Sequence, residues 1–106
     1  MAKKLLPLRF RILYYASQKD SFNYQDLIKD LKEEYGNDGQ FNKGMMNLHI
    51  DSLRAVGMIE EADVDFDKNN ELLVYYRITD YGRDRLVYLP DEWKATLPAF
   101  NPSLKV

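Results

Sequence analysis

With 106 residues, the chain is long enough for one small domain and leaves little room for a second. Its hydrophobic residues, 45% of the total, are enough to form a core, while the absence of cysteine excludes disulfides and thiolate metal sites. The formal net charge of −2 does not attract nucleic acid, so any such binding needs a local basic face.

The first predicted elements are a helix and a short extended segment. Apolar residues recur at spacings of three and four between Leu5 and Ala16 and predict a helix over residues 7–18, with Pro7 in its first turn. A polar stretch ends this helix. The isolated Phe22 that follows is placed to enter the core from an extended segment.

Two further helices are predicted before the middle of the chain. Asn23 is a suitable N-cap, and a regular apolar stripe predicts the second helix over residues 24–35. A turn rich in glycine, asparagine and aspartate comes next. The third helix is predicted from about Phe41 to Val56, where Gly57 ends it.

The sequence then changes to the period of two that is typical of β-strands. Apolar and acidic residues alternate over residues 58–67, which predicts a half-buried strand. Residues 67–70 have the composition of a hairpin turn, and the β-branched and aromatic residues 72–78 predict the returning strand. Thr79 or Asp80 then caps a short last helix.

This order of elements, together with two segments, resembles the winged helix-turn-helix superfamily. Residues 50–59 (IDSLRAVGMI) look like the end of a recognition helix and the strand after it, and residues 76–86 (YRITDYGRDRL) look like the strand that closes a wing, followed by a cap. The chain is similar to small bacterial and phage regulators of the MarR, PadR and ArsR type. The resemblance implies an α+β fold with a three-helix core, a two-stranded β-hairpin wing and a short C-terminal helix. Residues 1–89 would form this domain, and residues 90–106 would be a C-terminal tail, packed on the domain or in a dimer interface.

The resemblance also implies binding to double-stranded DNA, with the third helix in the major groove and the wing against the backbone. Such a protein would regulate transcription by occluding an operator. Asparagine can read adenine edges, and lysine can contact a phosphate or a guanine. The polar positions expected near DNA on the third helix are Asn42, Lys43, Asn47, His49 and Arg54.

Two apolar residues of the third helix complicate this assignment. Met46, Ile50 and Leu53 are expected to face the core, which places Met45 and Leu48 toward the outer face. One apolar contact to a thymine methyl group is ordinary for a base-reading helix. Two of them indicate either that the helical phase is shifted or that this face contacts protein.

The predicted wing is strongly acidic. Its acidic residues are Glu60, Glu61, Asp63, Asp65, Asp67 and Glu71. Because these carboxylates repel phosphates at close range, Lys68 at the tip is the only wing residue expected to contact one. The acids form either a solvated face that helps solubility or a surface for a basic protein partner. In the second case the domain would be a protein-interaction module without specific DNA binding.

Basic residues without neighbouring acids are found at the N-terminus. They are Lys3, Lys4, Arg9 and Arg11. This segment is a candidate for holding the DNA backbone from the side. Arg83 and Arg85 would join it if the last helix lies near the first.

Catalysis is not expected from these residues. The chain has no cysteine, and His49 is its only histidine, so Ser-His and multi-histidine metal sites lack their parts. The five glycines form neither a P-loop nor a dinucleotide-binding motif. We therefore expect no enzyme activity, no cofactor and no metal.

The expected cellular location and oligomeric state rest on less specific features of the sequence. No apolar run approaches the roughly 20 residues of a membrane helix, and no long apolar stretch follows the N-terminal lysines, so a cytoplasmic protein that does not enter a membrane is expected. The aromatic residues of the tail and the first helix are the candidate interfaces of a homodimer. A tail folded back on its own domain is the alternative.

Overall fold

The computed structural model of the protein describes residues 7–39 and 41–91. The elements in chain order are α1 (Leu8–Ser17), β1 (Phe22–Asn23), α2 (Tyr24–Tyr35), α3 (Lys43–Ala55), β2 (Ile59–Phe66), β3 (Leu72–Ile78) and α4 (Asp80–Val87). The described part is an α+β fold with four helices and a three-stranded antiparallel sheet of order β1-β3-β2. The predicted order of three helices, a hairpin and a short helix is confirmed.

The third helix begins later than the sequence predicts. The Oδ1 atom of Asn42 accepts a hydrogen bond from the backbone N–H of Met45 at 2.9 Å, so Asn42 is the N-cap and Phe41 lies outside the helix. At the other end Gly57 has a φ of +81°, a left-handed conformation that favours glycine. These two residues set the length of α3.

The extended segment at Phe22 is a third strand, and its pairing was not predicted. Phe22 lies opposite Tyr76 and Asn23 lies opposite Tyr75, both on β3. The Asn23 side chain also accepts a hydrogen bond from the backbone N–H of Asp26 at 2.8 Å and caps α2. Strand β1 therefore holds the start of α2 against the sheet.

Strands β2 and β3 form a hairpin whose two faces differ. Directly opposed residues share a face, and the pairs Val64–Val74 and Phe66–Leu72 lie on the same face as Tyr76, which contacts buried Phe22. Toward the tip this inner, apolar face extends beyond the helices and becomes exposed. Toward its tip the hairpin is thus apolar on the side of the helices, with Asp63 and Asp65 on the other face; nearer its base, Glu61 opposes Tyr76 and binds Arg54 of α3.

The core lies between the first three helices and the base of the sheet. Its largest fully buried side chains are those of Tyr35, Phe22, Ile12, Leu13, Leu27, Leu31, Met46, Ile50, Leu53, Ile59 and Leu86. Seven of the ten residues of α1 are buried, so this helix offers little surface for a second copy of the chain. The predicted tail, apart from residues 90 and 91, lies outside the described residues. None of the helices described is long and apolar enough to cross a membrane.

Candidate nucleic-acid interface

Helix α3 has one buried and one exposed stripe. The exposed residues are Lys43, Gly44, Asn47, Leu48, Asp51, Arg54 and Ala55. The predicted inward positions of Met46, Ile50 and Leu53 are confirmed. Leu48 points outward as expected and is 50% exposed, whereas Met45 is half-buried. The exposed stripe is therefore mostly polar, with one large apolar side chain.

The expected position of His49 on the outer face is wrong. His49 is only 5% exposed, because it falls on the buried stripe together with Met46 and Leu53. Its Nδ1 atom accepts a hydrogen bond from Nε of Arg9 at 3.2 Å. Burial, and secondarily the positive charge of Arg9, lower the pKa of His49 below its ordinary value. The neutral imidazole thus connects α3 to α1.

This arrangement predicts a stability that falls in weakly acidic solution. In the unfolded chain His49 takes up a proton near its ordinary pKa of 6.5, whereas the folded chain resists protonation until a lower pH. The free energy of unfolding should therefore decrease as the pH falls below 6.5. Urea denaturation of the wild type and of His49→Gln between about pH 5 and 8 measures this.

The glutamine variant does not titrate, so its stability should depend less on pH over this interval. The difference between the two curves isolates His49 from the carboxylates, which titrate in both proteins. Parallel curves would contradict the prediction.

Most of the described basic residues that were predicted to contact DNA bind other residues of this chain. Arg11 binds Glu34 through hydrogen bonds of 2.9 and 3.2 Å, and its guanidinium lies 5.5 Å from the centre of the Tyr14 ring. Its side chain is only 12% exposed. Arg54 binds Glu61 at 2.7 Å and Asp51 at 3.6 Å. Neither arginine is therefore a free partner for a phosphate.

The basic N-terminal patch is not assembled as expected. Lys3 and Lys4 lie outside the described residues, and Arg9 donates to His49. Helix α4 does lie near α1, but Arg83 there donates to the backbone carbonyl of Ser17 at 3.2 Å. Arg85 pairs with the neighbouring Asp84. Arg9, Arg83 and Arg85 therefore each bind another residue of this chain.

Two of the residues predicted to contact DNA, Lys43 and Asn47, have side chains that are available for a ligand. Lys43 and Asn47 are exposed in the first half of α3, and neither has an ion pair or a side-chain hydrogen bond within the part of the chain that the structure describes. Asn42 is engaged at both ends of its amide, since Nδ2 also donates to the carbonyl of Gly39 at 3.0 Å. Lys68 is exposed at the hairpin tip.

Lys43 and Asn47 border a groove between α3 and the hairpin. The groove has a volume of about 230 Å³ and is lined by Tyr24, Gln25, Lys43, Asn47, Leu72, Leu73, Val74 and Tyr76. Sequence reasoning missed the contribution of Tyr24 and Gln25. No local signal could have found it, because β1 is what brings the start of α2 beside the hairpin.

The acidic residues of the hairpin are largely engaged by partners in the hairpin or on α3. Glu60 binds Arg77 at 2.7 Å, and Glu61 binds Arg54. The Asp67 carboxylate accepts hydrogen bonds from the backbone N–H groups of Asn69 and Glu71, which lower its pKa. In the described ranges, no group of three histidine or acidic side chains could hold a metal ion.

Asp63 and Asp65 have a different role at the outer edge of β2. Each carboxylate accepts a hydrogen bond of 2.8 Å from the backbone N–H of the next residue, Val64 or Phe66. The N–H of Asp67 bonds toward β3, so alternation along the strand directs those two N–H groups away from it. The carboxylates thus satisfy donors at the sheet edge, which favours a structural origin for the acidic alternation.

Comparison with known proteins adds information on the fold. A solved structure described as the crystal structure of a Streptococcus transcriptional regulator is similar to this chain, with a TM-score of 0.59. The similarity covers 83% of this chain and 79% of that chain at 17% sequence identity. The two chains share a fold. No protein-family model and no curated protein sequence matches the chain.

Proposed function

We propose that this protein is a winged helix-turn-helix regulator that binds double-stranded DNA through α3. The observation that carries the proposal is the pair Lys43 and Asn47, exposed and unpaired within the described residues at the start of that helix. In helix-turn-helix proteins the first residues of the second helix of the motif contact the base edges. The fold shared with a transcriptional regulator supports the same conclusion.

Each exposed residue in the first half of α3 has a chemical role in this proposal. Asn47 reads an adenine edge, Lys43 contacts a phosphate, and Leu48 packs on a thymine methyl group. Gly44 has no side chain, and only Oδ1 of Asn42 lies within 4 Å of where a Cβ would be, so the helix can approach the base pairs closely. Lys68 contacts a phosphate from the hairpin. Occupation of an operator then blocks transcription by steric exclusion.

Fluorescent duplex libraries at about 50 and 200 mM salt test the proposal. Wild-type protein should bind selectively, and the binding should weaken steeply with salt. Lys43→Ala should weaken binding to all sequences and reduce the salt slope by about one. Asn47→Ala should remove about 1–3 kcal/mol of discrimination at one base pair.

Matched variants elsewhere on the surface provide the controls. Lys32 on α2 and Asn37 after it are exposed, and neither borders the groove. Lys32→Ala and Asn37→Ala should bind DNA like the wild type. Equal losses of DNA affinity in Lys43→Ala and Lys32→Ala would mean that only the net charge matters. They would contradict the assignment of α3 as the DNA-binding helix.

A second candidate function, binding of a basic protein partner by the hairpin, is favoured by a specific observation. Phe66 and Leu72 lie directly opposite each other and are each 61% exposed. Asp65 and Glu71 place exposed carboxylates next to them in the sequence. A basic partner that covers both faces of the hairpin tip would bury the apolar pair on one face and neutralise the carboxylate of Asp65 on the other. Folded wild-type protein that binds no DNA at about 50 mM salt would favour this candidate.

A further inference from the structure

Strand β2 has a long unpaired edge. Its eight residues pair with β3 on one side, and in the described sheet no strand lies on the other side. A register shift between Glu61 and Asp63 interrupts the pairing near the base of the hairpin, so the regular part of this edge is residues 63–66. Because an unpaired edge offers backbone donors and acceptors to any further strand, proteins close such edges with charges, bulges or covering segments.

The outer edge of β2 is self-complementary in its backbone pattern. The N–H groups of Val64 and Phe66 point away from β3, and by the same alternation their carbonyl groups do so too. In an antiparallel arrangement, Val64 of one copy would lie opposite Phe66 of a second copy, and each such pair would exchange two backbone hydrogen bonds. One strand thus carries both the donors and the acceptors that a second copy of the chain needs.

The side chains of the hairpin tip favour the same arrangement. Val64, Phe66 and Leu72 lie on one face of the hairpin, and all three are exposed. Two β2 edges that pair would join two of these faces into one continuous apolar surface and remove the area along the seam from water. A second copy therefore matches this edge in both backbone pattern and side-chain character.

We infer that the outer edge of β2 is a self-pairing surface that Asp63 and Asp65 keep closed. Their carboxylates accept hydrogen bonds of 2.8 Å from the N–H groups of Val64 and Phe66, so both donors are occupied. The two-fold axis of the antiparallel arrangement would pass beside Asp65 and bring two carboxylates directly opposite each other, where like charges destabilise a sheet. The inference is independent of DNA binding, because it concerns the edge of β2 and not α3.

The double variant Asp63→Ala/Asp65→Ala opens this edge and tests the inference. Both aspartates are exposed, so the variant should fold like the wild type, which circular dichroism and urea denaturation check. Analytical ultracentrifugation over a concentration series should show a mass that doubles relative to the wild type, with a Kd for pairing at least about tenfold lower. An unchanged mass would overturn the inference.

A matched double variant controls for the loss of charge. Asp20→Ala/Glu33→Ala removes the same number of carboxylates from exposed positions outside the hairpin. This variant should keep the mass of the wild type. A similar increase in mass would mean that net charge, and not the edge of β2, limits association, and the inference would be wrong.

Val64→Pro in the background of Asp63→Ala/Asp65→Ala provides a second test. The N–H group of Val64 points away from β3, so the substitution removes no hydrogen bond of the sheet. Because proline cannot donate a hydrogen bond to a second strand, this triple variant should return to the mass of the wild type. Continued association of the triple variant, or growth of the double variant beyond one added copy, would show that another surface is responsible and contradict the inference.

Discussion

Replacing Gly82 by alanine should destabilise the protein by about 3 kcal/mol, among the largest effects of any single methyl group in this chain. A Cβ atom at this position would lie 2.2 Å from the backbone oxygen of Met58 and 2.8 Å from Cγ1 of Ile78. The Met58 oxygen cannot move freely, because it accepts a hydrogen bond from the backbone N–H of Thr79 at 3.0 Å. The extra methyl group therefore separates α4 from the turn after α3.

Gly44 provides the matched control, since it is also a helical glycine. A Cβ atom there would have only Oδ1 of Asn42 within 4 Å, at an ordinary contact distance of 3.5 Å. Gly44→Ala should stabilise the protein by about 0.5–1 kcal/mol through helix propensity. Urea denaturation of both variants measures the difference, and destabilisation of similar size at the two positions would show that close packing at Gly82 is not the cause.

Phe22→Ala should cost about 3–5 kcal/mol of unfolding free energy. Phe22 is 1% exposed, and its ring packs edge-to-face on Tyr15 with the centroids 5.5 Å apart. On its other side it contacts Tyr76 of β3 at 5.8 Å. Truncation would leave a cavity between α1 and the sheet and weaken the segment that places α2 beside the hairpin.

Phe66→Ala removes the same atoms at a position that is 61% exposed and serves as the control. Its effect on stability should stay within about 0.5 kcal/mol. Thermal and urea denaturation of both variants test the comparison. An equally small effect at Phe22 would mean that the strand β1 contributes little to the core.

Local sequence signals determined the caps and turns of this protein. Asn23 and Gly57 were predicted in the roles they have, Thr79 was one of two predicted caps, and Asn70 lies in the predicted turn of residues 67–70. Thr79 accepts a hydrogen bond from the backbone N–H of Gly82, and Asn70 has a φ of 63° in the hairpin turn. These cap and turn interactions span at most four residues, so the neighbouring sequence indicates them. Periodicity also identified Met46, Ile50 and Leu53 as inward residues of α3, because burial repeats with the helical turn, but it did not identify His49.

Tertiary structure alone decided which polar residues are available for binding. Arg11 meets a glutamate 23 residues away, and Arg9 meets His49 across 40 residues. The sequence identifies such residues as polar and predicts their side of the helix. It does not show that a residue of another element will bind them or bury them. Lys43 and Asn47 met no such partner in the described structure, and the groove beside them exists because β1 pairs with β3. The physical reason is the range of the forces: caps and turns act between neighbours in the chain, whereas ion pairs, burial and grooves arise only when distant segments pack together.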